Sequence, residues 1–104
     1  LSISGSDGYG TMVISLPAAS VGSYALGKGK PSTILYTEVN TTYSTQNNGQ
    51  EYPVYQGDGQ VTVESINVEN KTMRGTFYFN SYDDSGTKYM NFSDGVFFNL
   101  PYTE

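Results

Sequence analysis

The side chains that most often carry chemistry are missing from this 104-residue chain: it has no His and no Cys. Ser-His-Asp and Cys-His constellations therefore cannot be assembled, and zinc sites of the usual ligand types are excluded. Disulfides and thiolate chemistry are excluded with them. Acid–base work would fall to carboxylates alone. Asp83 and Asp84 are adjacent, while Glu51, Asp58 and Glu64 are scattered. A glycosidase needs two carboxylates facing each other at roughly 5–9 Å across a cleft. Neighbours on a strand point to opposite faces, so Asp83/Asp84 is a poor pair and reads instead as an Asp- and Gly-rich turn. Asp7, Asp58, Asp83, Asp84 and Asp94 all fall in or near expected loops, but calcium wants a spaced run such as D-x-D-x-D-G, and none is present. The expectation is no catalytic residue, no metal ligand, no cofactor and no enzyme.

Amides and phenols are the remaining chemical groups. Glycosylation sequons begin at Asn40, Asn70 and Asn91. With 23 Ser and Thr in 104 residues, eight Asn give about two such matches by chance, so three is a weak signal. An internal Lys–Asn isopeptide bond would need a buried Lys, and Lys88, the only one well placed in a strand, has polar neighbours. Ten Tyr and five Phe dominate the large side chains. Tyr36, Tyr43, Tyr52 and Tyr55 fall on one expected hairpin and Tyr78, Tyr82 and Tyr89 on another. Such stripes can stack on sugars, form protein interfaces, or simply cover a sheet.

The elements that must position these groups are strands. Apolar residues recur with period two. Strands are expected near Leu1–Ser4, Thr11–Leu16, Ser23–Leu26, Thr33–Thr45, Glu51–Gln56, Gly59–Val68, Arg74–Tyr82, Thr87–Ser93 and Val96–Leu100. Ser6-Asp7-Gly8, Asn47-Asn48-Gly49, Asp84-Ser85-Gly86 and Asp94-Gly95 read as turns, and Glu69–Thr72 as a four-residue hairpin loop. Val61 and Val63 share one face but Ile66 and Val68 the other, which requires a bulge near Glu64–Ser65. Phe77 and Phe79 alternate with Thr76, Tyr78, Asn80 and Tyr82, giving one core face and one wet face. The expected fold is all-β: an antiparallel β-sandwich or flattened barrel of about 8–9 short strands in a single domain.

Charged residues make up 14 % of the chain, against about a quarter in typical domains. Hydroxyls, amides and Gly supply the polar surface, a composition common in secreted or surface proteins. Net charge is −5 with no basic run, which argues against a nucleic-acid partner. No apolar stretch is long enough for this segment to insert in a membrane.

Three segments carry a family resemblance: ISGSDG at 3–8, SLPAASVGSYALG at 15–27, and RGTFYFNSYDDSGTKYMNFSDGVFFNLPY at 74–102. Together they resemble a family of small Bacteroidota cell-surface lipoproteins known only as a domain of unknown function. The likeness runs through Gly75, Phe77, Phe79, Gly86, Asp94, Gly95, Phe98, Pro101 and Tyr102. It implies an exported all-β domain and carries over no active site. It also implies an upstream signal peptide, a lipid-modified Cys and a first strand pair.

The chain opens directly on the alternating run Leu1–Ser4, which reads as the mature C-terminal part of a longer exported precursor. A sandwich lacking a strand has an open edge that can template pairing with another chain. The first functional expectation is therefore an extracellular or cell-surface structural or adhesive domain that self-assembles head-to-tail into filaments. Its donor-strand candidates are Leu1, Ile3, Phe97, Phe98, Leu100 and Tyr102. The alternative is a monomeric binding module for a glycan or partner protein, using Tyr36, Tyr43, Tyr55, Tyr78, Tyr82 and Tyr89.

Overall fold

The computed structural model describes residues 1–6, 9–49 and 56–103. Their elements are β1 (Ser2–Ser6), β2 (Gly10–Ser15), β3 (Gly22–Gly27), β4 (Thr33–Glu38), β5 (Thr41–Ser44), β6 (Asp58–Asn67), β7 (Thr72–Tyr82) and β8 (Tyr89–Thr103). All pair antiparallel in one sheet, as the two-residue period requires. From β7 the sheet continues two ways. One edge of β8 runs the length of β7, and β5 reaches the end of β7 through Ser44 and Tyr82. Since β8 meets β1, and β1, β2, β4 and β5 follow in order, six strands close a ring. β6 and then β3 extend from β7 beside it. The result is a flattened barrel.

One row of side chains ties the ring together. Tyr102, Ile3, Ile14 and Ile34 are successive cross-strand partners on β8, β1, β2 and β4, and all are buried. Ile3 retains 1 % exposure and Tyr102 6 %, so each contributes about 1.5–3 kcal/mol by leaving water. The row continues through Thr45, which is fully buried. Its N–H donates to Ile34 O and its hydroxyl accepts the Ile34 N–H, both at 3.1 Å. Buried Ser81 likewise donates to Met90 O at 2.7 Å. Among the described residues no buried side-chain polar atom lacks a partner, as a stable core demands.

The second half of the core is aromatic and is built on a reciprocal pattern. Gly75-Thr76-Phe77 on β7 faces Gly95-Val96-Phe97 on β8, so that Gly75 pairs with Phe97 and Phe77 with Gly95. Each ring lies where its partner's side chain would be. A Cβ on Gly75 would stand 2.7 Å from the Phe97 ring and would strike Thr62 O, and one on Gly95 would strike the Phe77 ring. Phe77 and Phe97 stack with centroids 6.4 Å apart, and Phe79 meets Phe92 at 5.1 Å.

Several expectations hold: the shift in register falls between Val63 and Ser65 and Phe79 faces the core, while the four-residue loop joining β6 to β7 is Val68–Lys71, one residue earlier than expected, because Thr72 already pairs with Asn67. Two are corrected. Thr33–Thr45 is a hairpin and not one strand, because Val39 and Asn40 form a two-residue turn between Glu38 and Thr41. Val39 adopts φ 56°, a conformation that β-branching disfavours and that no turn signal announced. Asp94-Gly95 is not a hairpin turn, and β8 is one strand carrying two bulges. Ser93-Asp94 lie opposite Tyr78 alone and Phe98-Asn99 opposite Arg74 alone. The expected strand Glu51–Gln56 lies, up to residue 55, outside the described residues.

Val39 is 86 % exposed, so Val39→Gly relieves strain without losing packing. It should stabilise the chain by about 1 kcal/mol, read as a Tm rise of roughly 4–8 °C. Gly75→Ala forces a Cβ against the β6 backbone and should cost about 2–3 kcal/mol in urea unfolding, whereas an unchanged midpoint would contradict the packing described.

Candidate functional site

β1 and β8 form a ladder only two pairs long, Ser2 with Thr103 and Ile3 with Tyr102. The reason lies in backbone direction. Leu1 and Leu16 exchange hydrogen bonds of 3.1 and 3.0 Å, so odd residues of β1 turn their backbone groups to β2 and Ser2 and Ser4 turn theirs to β8. On β8, the Tyr102 N–H donates to Lys71 O at 3.0 Å, so Pro101 and Thr103 are the residues that turn to β1. After Ser2 and Thr103 the next pair would be Ser4 and Pro101, and Pro has no N–H to give. Two residues earlier Asn99 takes φ 52° within the second bulge, and β8 departs from β1.

An apolar cleft of about 300 Å³ opens where the two strands part. Ile3, Gly5, Met12, Ile14 and Tyr36 line one wall, and Phe77, Phe92, Phe97 and Leu100 the other. Val96 and Phe98 stand exposed on its β8 side, and Ser4 and Ser6 on its β1 side. None of the described residues that line it is charged. Position 5 is inward, two along from Ile3, and glycine there leaves the space unfilled. The nearest atom to a Cβ at that point is Leu100 Cδ1 at 3.8 Å, ordinary contact distance.

The residues singled out in the sequence fall in different places. Ile3, Phe97 and Tyr102 are buried in the chain's own core, and Leu1 and Leu100 are half-buried against it. Only Phe98 is largely exposed, because the bulge turns it outward while Phe97 turns in. Both chain ends are thus strands of the barrel and not loose arms. The expected groove of Tyr36, Tyr43 and Tyr55 is not formed by Tyr36, which is a core residue packed edge-on against Phe92 at 5.5 Å. Tyr43 is half-buried, and Tyr55 lies outside the described residues. Tyr78, Tyr82 and Tyr89 do share the outer face of β7 and β8. Asn40, Asn70 and Asn91 are all exposed, the first two in turns and the third on β8. Lys88 is exposed as well. Sequence reasoning missed the cleft, although Gly5 in an inward position and Pro101 near the far end were its signals.

Among the described residues no three carboxylates gather as a metal site would require. Asp83 organises its own loop instead. Its carboxylate accepts from the N–H groups of Thr87 and Lys88 at 3.2 Å and from the Ser85 hydroxyl at 3.0 Å. Desolvation acts to raise its pKa, but these bonds and one from the Gly86 N–H outweigh it and hold the carboxyl below its ordinary 3.8.

A group with a depressed folded pKa stabilises above its unfolded value and loses that contribution as pH falls through the folded one. Carbon-13 NMR should therefore find Asp83 titrating below 3.8, with the amides of 85–88 shifting in the same step. Titration at or above that value contradicts the loop account. Gly5→Leu should fill the cleft and raise stability by about 1 kcal/mol, since it buries apolar surface without close contacts. A loss of stability there would show that the space is not open.

The sequence matches a family model described as Domain of unknown function (DUF6252) over residues 1–101. No curated protein and no solved structure matches it. The match spans nearly the whole chain, including both walls of the cleft, and the protein belongs to the DUF6252 family.

Proposed function

We propose that this is a non-catalytic structural or adhesive β-domain that works by accepting an extended strand of another chain in the split between β1 and β8. The observation that carries the reading is the early end of the β1–β8 ladder above an apolar cleft. Ser4 turns its N–H and C=O toward the split, and an incoming strand can bond to them in continuation of the existing ladder. Because β1 and β8 are antiparallel, a strand between them runs parallel to one and antiparallel to the other. Its alternate side chains enter the space above Gly5.

The donor in this reading is a second copy. Its ends, Leu1–Ser4 or Phe97–Tyr102, already sit in their own barrel, so one of them must leave its own place before it can enter the split of a neighbour. The two-pair β1–β8 ladder is only part of what must open: release of Leu1–Ser4 also breaks three pairs with β2, and release of Phe97–Tyr102 three with β7. A head-to-tail contact of this kind does not close, and a filament follows. Low charge, many hydroxyls and many aromatic residues support an extracellular or cell-surface location. The segment resemblance supports a small Bacteroidota lipoprotein, and a net charge of −5 speaks against nucleic acid.

Light scattering on a sizing column, with electron microscopy of the same fractions, tests this. The native chain should form concentration-dependent polymers, and Gly5→Leu, with an unchanged far-UV spectrum, should remain near 11.3 kDa. A native chain that stays monomeric at every concentration, or a Gly5→Leu variant that polymerises equally, overturns the reading.

A further inference from the structure

We propose that the outer face of β6, β7 and β8 is a platform for a neutral linear oligosaccharide, a site separate from the cleft and independent of the strand-accepting role. Cross-strand register assembles it. Asn80 on β7 stands between Asp58 on β6 and Asn91 on β8, and Tyr82 stands beside Tyr89. Tyr78, two residues from Asn80 on the same face, is 50 % exposed, and Tyr89 is 69 % exposed.

Two shallow depressions lie end to end along β7 and β8. One of about 280 Å³ has Tyr78 and Ser93 at its rim, and one of about 330 Å³ has Tyr82, Thr87 and Tyr89. Asn80 and Asn91 line both. Each depression thus offers a ring and shares a pair of amides. Pyranose rings need this combination, with C–H faces on an aromatic ring and hydroxyls on amide donors and acceptors. Tyr78 and Tyr82 are four residues apart, roughly 14 Å at about 3.4 Å per residue, the reach of a short linear chain.

The groups are held in place before any ligand arrives. Asn80 Nδ2 donates to Asp58 Oδ1 at 2.7 Å, which fixes the amide plane. The Tyr82 ring packs over Gly49, where a Cβ would come within 2.7 Å of it. Among the described residues none lining either depression is charged, and the Asp58 carboxylate beside Asn80 disfavours a uronate or phosphate. A protein partner is the poorer fit, because the rings are separated by amides and do not form one apolar patch. Asn91 lies at the centre, so binding here and glycosylation of that sequon exclude each other.

The test is a nitrogen-15 NMR titration of the whole chain with cellohexaose, laminarihexaose, xylohexaose, mannohexaose and maltohexaose in turn. At least one should shift amides at 58 and 78–91 while leaving β1 and β2 unmoved. Tyr78→Ala and Tyr89→Ala should each weaken that binding about tenfold, the worth of one lost aromatic contact. Tyr78→Phe should retain it, and Gly5→Leu should leave it unchanged even where it abolishes assembly. Absence of shifts with all five glycans overturns the proposal. So does binding indifferent to both alanine variants, or shifts on this face that follow protein concentration alone and mark contact between copies.

Discussion

The barrel depends on a closure that is two residue pairs long. Ser2 with Thr103 and Ile3 with Tyr102 join the first strand to the last, and through them Ile14 and Ile34 become one buried row. Without these pairs, β1 and β8 would each lose a neighbour and the two halves of the core would face water. With them, residues 101 positions apart in sequence share one ladder, and the chain has no cross-link to assist. Closure here is a packing achievement, supported by the Ile–Tyr row and by backbone bonds.

The same closure explains why the barrel is not sealed. Pro101 removes the donor that the next pair needs, and the bulge at Phe98-Asn99 redirects β8. Gly5 then leaves the parted strands without a side chain between them. A proline, a bulge and a glycine each have local explanations. Their coincidence around one opening makes an apolar cleft of what would otherwise be core, and an edge that can still pair faces into it.

Opposite requirements govern the two faces of β7. Inward, Gly75 and Gly95 make room for Phe97 and Phe77, and the face is filled to contact. Outward, Tyr78 and Asn80 are exposed, and their neighbours on β6 and β8 arrange amides and rings by register. The bulge at Ser93-Asp94 keeps both faces consistent, because it restores the inward phase at Gly95 and Phe97 while widening the outer surface beside Tyr78.

Much of this was present in the residues themselves. Absent His and Cys settled which chemistries the chain lacks, since composition needs no fold to exclude a ligand. The alternation of Phe77 and Phe79 with Tyr78 and Asn80 determined the two faces of β7, because strand geometry turns every second side chain the same way. The break in phase between Val63 and Ile66 determined a bulge for the same reason. What tertiary structure decided were events without a local cost signal: the turn at Val39, which accepts an unfavourable φ to pair Leu35 with Ser44, and the continuous course of β8 through Asp94-Gly95, where β7 offers partners on both sides of the bulge. It also decided that Tyr36 is core and Tyr78 is surface. Both are tyrosines on alternating strands, and only the position of the opposing layer, here Phe92, distinguishes a buried ring from a wet one.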